Sequence, residues 1–287
     1  MRIRTDKDSN YKAVFFNGKT IRMRLDQNLP ITSPKYAEIE DVAINNKCFG
    51  SCSYCYTSAL KSGTNFPDPV EKANSVWGSR ELKNDRPFQI AIGGAGESTL
   101  HPDWVKFVKA VSSLDIVPNY TTNGMHLTEE VLRATEDYCG GVALSFHPHL
   151  EKFFHPGIDK LKQLKTTLNI HVIIGDENSL VKVKELFNLY KDVVNYFVLL
   201  PYQAAGRGKV LEVENNWISL FLWLDSLSKE EQKKFAFGAL FYPFLLNNEF
   251  KLDIDIYEPE IYSGYRIFDD SYMKLRVSSY NPTFKKE

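Results

Sequence analysis

The feature that most constrains the fold is a regular alternation of strand-like and helix-like segments through the middle of the chain. Six apolar, β-branched runs begin near Ala37, Phe88, Ile116, Gly141, Leu168 and Val194. From the second run onward, the starts lie about 24–28 residues apart, which is the length of one strand–helix–strand step. Strands that alternate with helices predict a parallel sheet.

The segments between these runs carry helical spacing. One apolar stripe with the spacing i, i+3, i+4, i+7 comprises Trp104, Phe107, Val108 and Val111, and Pro102 is placed to open that helix. Six strands are too few for a closed eight-stranded barrel. The sequence therefore predicts an α/β fold, a partial (β/α)6 barrel of the TIM type over residues 37–212.

The two ends of the chain differ from this pattern. Within residues 1–36, Asn17-Gly18 suits a tight turn between two short strands and predicts an N-terminal β-hairpin. Residues 213–287 begin with one more apolar helix and then become aromatic and irregular, which predicts a cap packed on the barrel. The segment is also the candidate substrate cap, and its aromatic residues could stack on a base, although plain packing is the favoured alternative. The residues concerned are Tyr262, Tyr265, Asp269, Asp270, Tyr272, Arg276 and Tyr280.

Composition narrows the class of protein. Lys and Arg total 35 against 36 Asp and Glu, so the net charge of −1 gives no footprint for non-specific nucleic-acid binding. Hydrophobic residues make up 43% of the 287 residues, enough for a sizeable core. The N-terminus has no apolar signal segment, and no apolar run reaches the ~18 residues that span a bilayer. These features predict a soluble, cytoplasmic protein with no membrane partner.

Three of the four cysteines, Cys48, Cys52 and Cys55, lie together just after the first predicted strand. The carboxyl ends of barrel strands carry the active site in αβ barrels. Three thiolates on one loop can hold three irons of a 4Fe–4S cluster and leave the fourth iron open for chemistry. A structural zinc site is the alternative, but its usual second pair of ligands is missing. Three ordinary core cysteines are a further alternative, which the surrounding Gly and Ser residues disfavour.

The cysteine loop resembles that of the radical SAM superfamily, whose hallmark is C-x-x-x-C-x-aromatic-C after the first strand of a partial barrel. Cys48, Cys52, Tyr54 and Cys55 match every position. The resemblance covers about residues 37–205. It implies a 4Fe–4S cluster whose open iron binds S-adenosylmethionine (SAM), and reductive cleavage of SAM to a 5′-deoxyadenosyl radical that abstracts a substrate hydrogen. It also implies an electron donor such as flavodoxin or ferredoxin.

A Gly-rich segment follows the second predicted strand. Glycines let a backbone approach a ligand closely, and the carboxylate of Glu97 can receive an ammonium group, although many βα turns are Gly-rich for steric reasons alone. Beside the cysteine loop, the segment resembles the family's motif for the SAM amino group, with Gly94, Gly96 and Glu97 as the contacts and Ser98 in place of the usual Pro.

The ends of the later strands supply further candidates. By resemblance, the residues expected to line the SAM site, together with Tyr54, are Thr122, Asn123, Ser145, Ile173 and Leu200. His171 and Asn178 depart from the family's adenine-contacting pattern, so only apolar contact from Ile173 carries over there. His149 reads as a hydrogen-bonded loop histidine.

The substrate is the least determined part of the prediction. The candidate substrate contacts are His147, Arg207, Lys209, Tyr272 and Arg276, with solvated loop charges as the alternative for Arg207 and Lys209. A nucleoside, nucleotide or nucleic-acid base ranks first as substrate, a small metabolite second and a peptide third. The rival class is a non-catalytic metal-binding or nucleic-acid-binding module.

Overall fold

The structure is a computed structural model that describes residues 1–175, 177–210, 217–247, 252 and 261–269. Its centre is an eight-stranded, all-parallel sheet that curves into a half-barrel. The six inner strands run in chain order across the sheet and are β4 (Ile39–Ala43), β5 (Gln89–Ile92), β6 (Val117–Thr122), β7 (Gly141–Phe146), β8 (Thr167–Ile174) and β9 (Tyr196–Pro201). They confirm the six predicted strands and the partial barrel.

Two further strands, both from the C-terminal part of the chain, extend the sheet at its edges. Strand β10 (Phe235–Phe237) pairs in parallel with β9, and β11 (Ser263–Ile267) pairs in parallel with β4. The sequence predicted only cap structure here, because a three-residue strand and a strand containing Gly and Arg carry no apolar run. The predicted boundary between barrel and cap at residue 212 stays a prediction.

Helices cover the convex face of the sheet. They are α1 (Pro69–Ala73), which continues as a π-helical turn (Asn74–Gly78), α2 (Trp104–Ser113), α3 (Glu129–Tyr138), α4 (Glu151–Leu161), α5 (Glu177–Tyr190), α6 (Trp217–Asp225), α7 (Lys229–Gln232) and α8 (Tyr242–Asn247). Short 3-10 turns cover Lys83–Asp85, Ser98–Leu100, Pro148–Leu150, Gly206–Val210 and Ala239–Phe241. One continuous apolar core lies between helices and strands. In the part of the chain that the structure describes, no helix is long and apolar enough to cross a membrane.

A second, antiparallel sheet of three strands lies at the amino end of the barrel strands. It consists of β1 (Arg2–Asp6), β2 (Tyr11–Phe16) and β3 (Lys19–Arg24), with β2 in the middle. The predicted hairpin is confirmed as β2 and β3, with Asn17 and Gly18 both at positive φ in the turn. Its buried face packs on Phe88 and Tyr262, which directly precede β5 and β11. This sheet therefore covers the bottom of the half-barrel.

Side chains alternate between the two faces of each strand. On β4, Glu40 and Val42 face the helices: Glu40 contacts Trp77, and Val42 belongs to the main core. Their neighbours Ile39, Asp41 and Ala43 consequently face the concave side, which we call the lumen. The loops at the carboxyl ends of the strands surround the open end of the lumen, which we call the mouth.

Candidate active site

The three clustered cysteines lie at the mouth, on the loop that follows β4. Backbone hydrogen bonds from Cys48 to Leu60 and from Phe66 to Ile44 fold this loop back on itself. Gly63 is required at the fold-back, because a Cβ there would lie 2.4 Å from the carbonyl oxygen of Asn46. Local backbone pairing thus presents the thiols over the first strand of the barrel, as the sequence predicted.

All three thiols are free, with Cys52 buried and the other two half-buried. Cys48 Sγ accepts hydrogen bonds from the Gly50 amide at 3.3 Å and from Asn123 Nδ2 at 3.6 Å. Burial, together with the nearby charges of Cys48 and Cys55, raises the pKa of Cys52 to about 11, so the three thiols interact electrostatically. Grouped thiols with amide donors fit the ligation of an iron–sulfur cluster, in which hydrogen bonds to sulfur tune the centre.

The fourth cysteine is remote from this loop. Cys139 lies just before β7, whereas the other three follow β4, so it is at the opposite end of the parallel strands. Burial raises its pKa. Among the described residues, no set of three or more Cys, His, Asp or Glu side chains is arranged to hold a single metal ion.

Arg207 ties the cysteine loop to the turn after β9. Its guanidinium donates to the carbonyl oxygens of Cys52 at 2.9 Å and Ala59 at 2.8 Å, and its backbone amide donates to Cys55. Gly206 sits so close to this loop that a Cβ would lie 2.3 Å from the Tyr56 carbonyl oxygen. Arg207 therefore positions the cysteine loop, a role that the sequence did not reveal; its predicted contact with the substrate stays a prediction.

The Gly-rich segment after β5 lies against the same loop. Gly94 has φ +82°, and Gly96 has no room for a side chain, since a Cβ would lie 2.6 Å from the Lys47 carbonyl oxygen. The hydroxyls of Tyr56 and Thr57 donate to the carbonyl oxygens of Gly94 and Ala95. Close packing between the two loops therefore requires these glycines, whatever ligand they meet.

Glu97 is a buried junction between the loops after β4, β5 and β6. Its carboxylate accepts hydrogen bonds from the Asn123 amide at 2.8 Å and from the Thr99 hydroxyl at 2.7 Å, while Asn45 Nδ2 donates to its carbonyl oxygen. Burial raises its pKa, and these hydrogen bonds and one with Thr122 oppose the rise. Thr122 is itself buried and lies behind Glu97, so Thr121 is the threonine of this pair that faces the lumen.

The end of β7 approaches the cysteine loop from the other side. The Tyr54 hydroxyl lies 3.0 Å from His147 Nδ1, and His149 Nε2 lies 2.8 Å from the carbonyl oxygen of Gly50. The hydrogen-bonded role predicted for His149 is thus confirmed. Burial lowers the pKa of His147 to about 4, with smaller contributions from His149 and His171, so His147 is neutral at pH 7.

The remaining predicted residues divide by position. Ser145 pairs in register with His171, and Ile173 with Leu200; all four face the lumen on adjoining strands. Lys209 is exposed in the turn after β9. Tyr272, Arg276, Tyr280 and Asp270 lie outside the described residues. Tyr262 and Tyr265 are buried, against the N-terminal sheet and against Gly94, so both serve packing.

No protein-family model matches the sequence, and no curated protein matches it. Solved structures do match its fold. Streptococcus suis SuiB bound to S-adenosylmethionine is similar with a TM-score of 0.63 and 12% identity, over 85% of this chain and 61% of that one. SuiB bound to the precursor peptide SuiA gives 0.62 and 11%, over 85% and 60%. The structure of anSMEcpe with bound AdoMet and Cp18Cys peptide gives 0.57 and 13%, over 87% and 78%.

These neighbours are radical SAM enzymes, and the chain has their partial-barrel fold. It spans about 60% of the length of SuiB. The likeness shows a shared fold, which is the partial barrel that the strand pattern and the cysteine motif predict.

Proposed function

We propose that the chain is a radical SAM enzyme that binds a 4Fe–4S cluster through Cys48, Cys52 and Cys55. The observation that supports this is the set of three free thiols at the carboxyl end of β4, in a fold shared with AdoMet-bound enzymes. When bound, such a cluster supplies the electron that cleaves SAM to a 5′-deoxyadenosyl radical. The free thiols also suit the reducing cytoplasm that we assign to the protein.

The chain's own residues bind and orient SAM. Gly94 and Gly96 bring the backbone close to the cysteine loop, and Glu97 fixes the three loops that surround it. We assign the SAM contacts to Tyr54 and to these loops. Further contacts come from Asn123, which reaches Cys48, and from the lumen-facing residues Ser145, Ile173 and Leu200; Thr122 acts through Glu97.

For the substrate, a peptide is now the first candidate. A nucleobase ranks lower, because two of the aromatic residues that could stack on it, Tyr262 and Tyr265, are occupied in packing. The SuiB and anSMEcpe structures were solved with peptides. A nucleoside and a small metabolite are the alternatives.

The electron donor is an acidic protein that docks beside Cys48. The exposed ring of Phe49 has Lys47 and Lys61 within 5.6 and 5.7 Å of its centroid, and Leu60 next to them is exposed. Neither lysine has an acidic partner among the described residues. Charge complementarity with flavodoxin or ferredoxin mainly raises the association rate. Lys61→Glu should therefore slow flavodoxin-driven turnover about 10-fold, with dithionite-driven turnover as the internal control.

The proposal is tested by incubating the anaerobically reconstituted protein with SAM and dithionite. We expect slow release of 5′-deoxyadenosine without substrate, because a reduced cluster beside SAM needs no hydrogen donor to react. Substrate should raise the rate by excluding water and ordering the site. Absence of 5′-deoxyadenosine from protein with a full, reducible cluster would disprove the radical reaction. The Cys139→Ala variant, which keeps the clustered thiols, is the matched positive control.

A further inference from the structure

The lumen of the half-barrel contains one unusual residue, Asp41, near the middle of β4. It pairs in register with Ala91 on one side and with Tyr265 on the other, so its carboxylate enters the space enclosed by the strands. Its neighbour Glu40 faces the opposite way. The two adjacent acidic side chains therefore lie on opposite faces of the same sheet.

Their surroundings are opposite in character. Glu40 accepts hydrogen bonds from Arg266 Nε at 3.0 Å and Trp77 Nε1 at 3.1 Å, and Arg80 lies 3.5 Å away. Asp41 makes no hydrogen bond or ion pair with any residue that the structure describes. The residue is exposed to the open lumen, and the surrounding protein partly desolvates its carboxylate, which raises its pKa to about 6, so it is mostly ionised at pH 7.

Nothing else on the lumen side of the described strands balances this charge. By alternation along each strand, the lumen-facing positions are apolar, small or neutral polar, apart from Asp41. His171 faces the lumen, but burial lowers its pKa to about 4, so it is neutral at pH 7. The lumen of the described structure thus carries a net negative charge.

A second polar group of the lumen is also unsatisfied. Asn169 Oδ1, on β8, is buried and has no hydrogen-bond partner. Like the Asp41 carboxylate, it is an acceptor. A buried polar atom without a partner, such as Asn169 Oδ1, costs free energy that a hydrogen-bond donor would recover. Asp41 is exposed to the lumen rather than buried, so its carboxylate is open to a ligand that donates hydrogen bonds.

Space for such a ligand is present beside Asp41. Ala91 is small, and a Cβ placed on Gly93 would meet only Thr121 Cβ, at 3.8 Å. Aliphatic or aromatic side chains at these positions would fill that part of the lumen. Asp41 is exposed although its strand is paired on both sides, so the lumen beside its carboxylate is open.

We infer that the lumen binds a cationic group of the substrate, an ammonium or guanidinium, against the Asp41 carboxylate. The inference rests on the proposed function only in taking the ligand to be the substrate. A lysine or arginine side chain, or a free amino terminus, has the required charge and donors, in agreement with a peptide substrate. Asp41 is then a specificity-determining residue, which the sequence pattern did not mark.

The test compares binding of matched probes to the reconstituted protein by titration calorimetry at pH 8. The cationic probes are N-acetyl-lysine and N-acetyl-arginine N-methylamides, and the neutral isosteres are the norleucine and citrulline compounds. The wild type should bind each cationic probe at least 10-fold more tightly than its isostere. Asp41→Asn and Asp41→Ser, checked for folding by circular dichroism, should lose this preference. Asp192→Asn, which removes an exposed acid elsewhere, should keep it.

The inference would be overturned by equal binding of both probe classes by the wild type, by a preference that survives in both Asp41 variants, or by loss of the preference in Asp192→Asn. Competition by SAM for the lysine probe would also overturn it, because the carboxylate would then serve the cofactor. The readout involves no turnover. Failure of the radical reaction would therefore leave this result standing, and the reverse also holds.

Discussion

At each end of the half-barrel, an arginine side chain donates hydrogen bonds to backbone carbonyl oxygens and joins two parts of the chain. At the bottom, the buried Arg4 donates to the carbonyl oxygens of Tyr36, Ala37, Asn84 and Arg86, and joins the N-terminal sheet to the barrel. At the mouth, Arg207 donates to carbonyl oxygens of the cysteine loop. An apolar cluster lies beside the arginine at the bottom, whereas the mouth leaves two of its three clustered thiols partly exposed. The bottom of the half-barrel therefore supports stability, whereas the mouth supports chemistry.

The largest effect should come from the thiols at the mouth. Changing Cys48, Cys52 or Cys55 to Ala should abolish a content of about four irons and four sulfides per chain, because the open-site cluster has only three protein ligands. Iron and sulfide analysis after anaerobic reconstitution measures this. Cys139→Ala should keep full content, and loss of the cluster in that variant alone would contradict the assignment.

At the bottom, Glu38 is the corresponding test of stability. Its buried carboxylate accepts from Arg22 Nη2 at 2.7 Å and from the Tyr11 hydroxyl, so Glu38→Ala should cost about 3 kcal/mol of unfolding free energy. Denaturant unfolding measures it. Asp115→Asn breaks the exposed pair with Lys83 and should cost less than about 1 kcal/mol. Equal costs for the two variants would remove the distinction between buried and exposed pairs.

The Arg207→Ala variant tests the role of the arginine at the mouth, because it removes the hydrogen bonds to the carbonyl oxygens of the cysteine loop. Loss of two charged hydrogen bonds to the loop should weaken cluster retention by roughly 10–100-fold, with little change in the unfolding midpoint. Iron release to a chelator over time is the measurement. Lys209→Ala, in the same turn but exposed, is the matched control. An unchanged release rate in Arg207→Ala would show that the loop holds its shape without the arginine.

The smallest effect concerns Asp41. Its pKa of about 6 in the folded protein lies above the usual value of 3.8, so its contribution to stability is complete below pH 4 and is lost as the pH rises through 6. Asp41→Asn should therefore gain about 1 kcal/mol over the wild type between pH 4 and pH 7, a modest amount because water reaches the open lumen. Unfolding midpoints across this range measure the gain; a constant difference would contradict the raised pKa.

The features that could be predicted from the sequence are those encoded locally. The cysteine motif lies within eight residues, the Asn17-Gly18 turn within two, and each strand–helix step within one period. The contact between Arg207 and Cys52, by contrast, joins residues 155 positions apart, and no local sequence pattern predicts it. The sequence does not mark Asp41, because its lack of partners depends on which face of β4 it lies on and on the neighbouring residues of β5 and β11. Sequence periodicity alone specifies neither of these.

The pairing of β4 with β11 has a consequence for how the protein forms. Glu40 on the first barrel strand and Arg266 on the last are 226 positions apart, yet they form a buried ion pair. Long-range parallel pairing is slow, because the entropy of closing the loop must be overcome before the contacts are made. During synthesis, one edge of β4 stays unpaired until β11, near the end of the described residues, has been made. The strand that precedes the cysteine loop is therefore among the last to be paired on both sides. Until then, the cysteine loop of a nascent chain lies beside an unpaired strand edge, which is prone to aggregation.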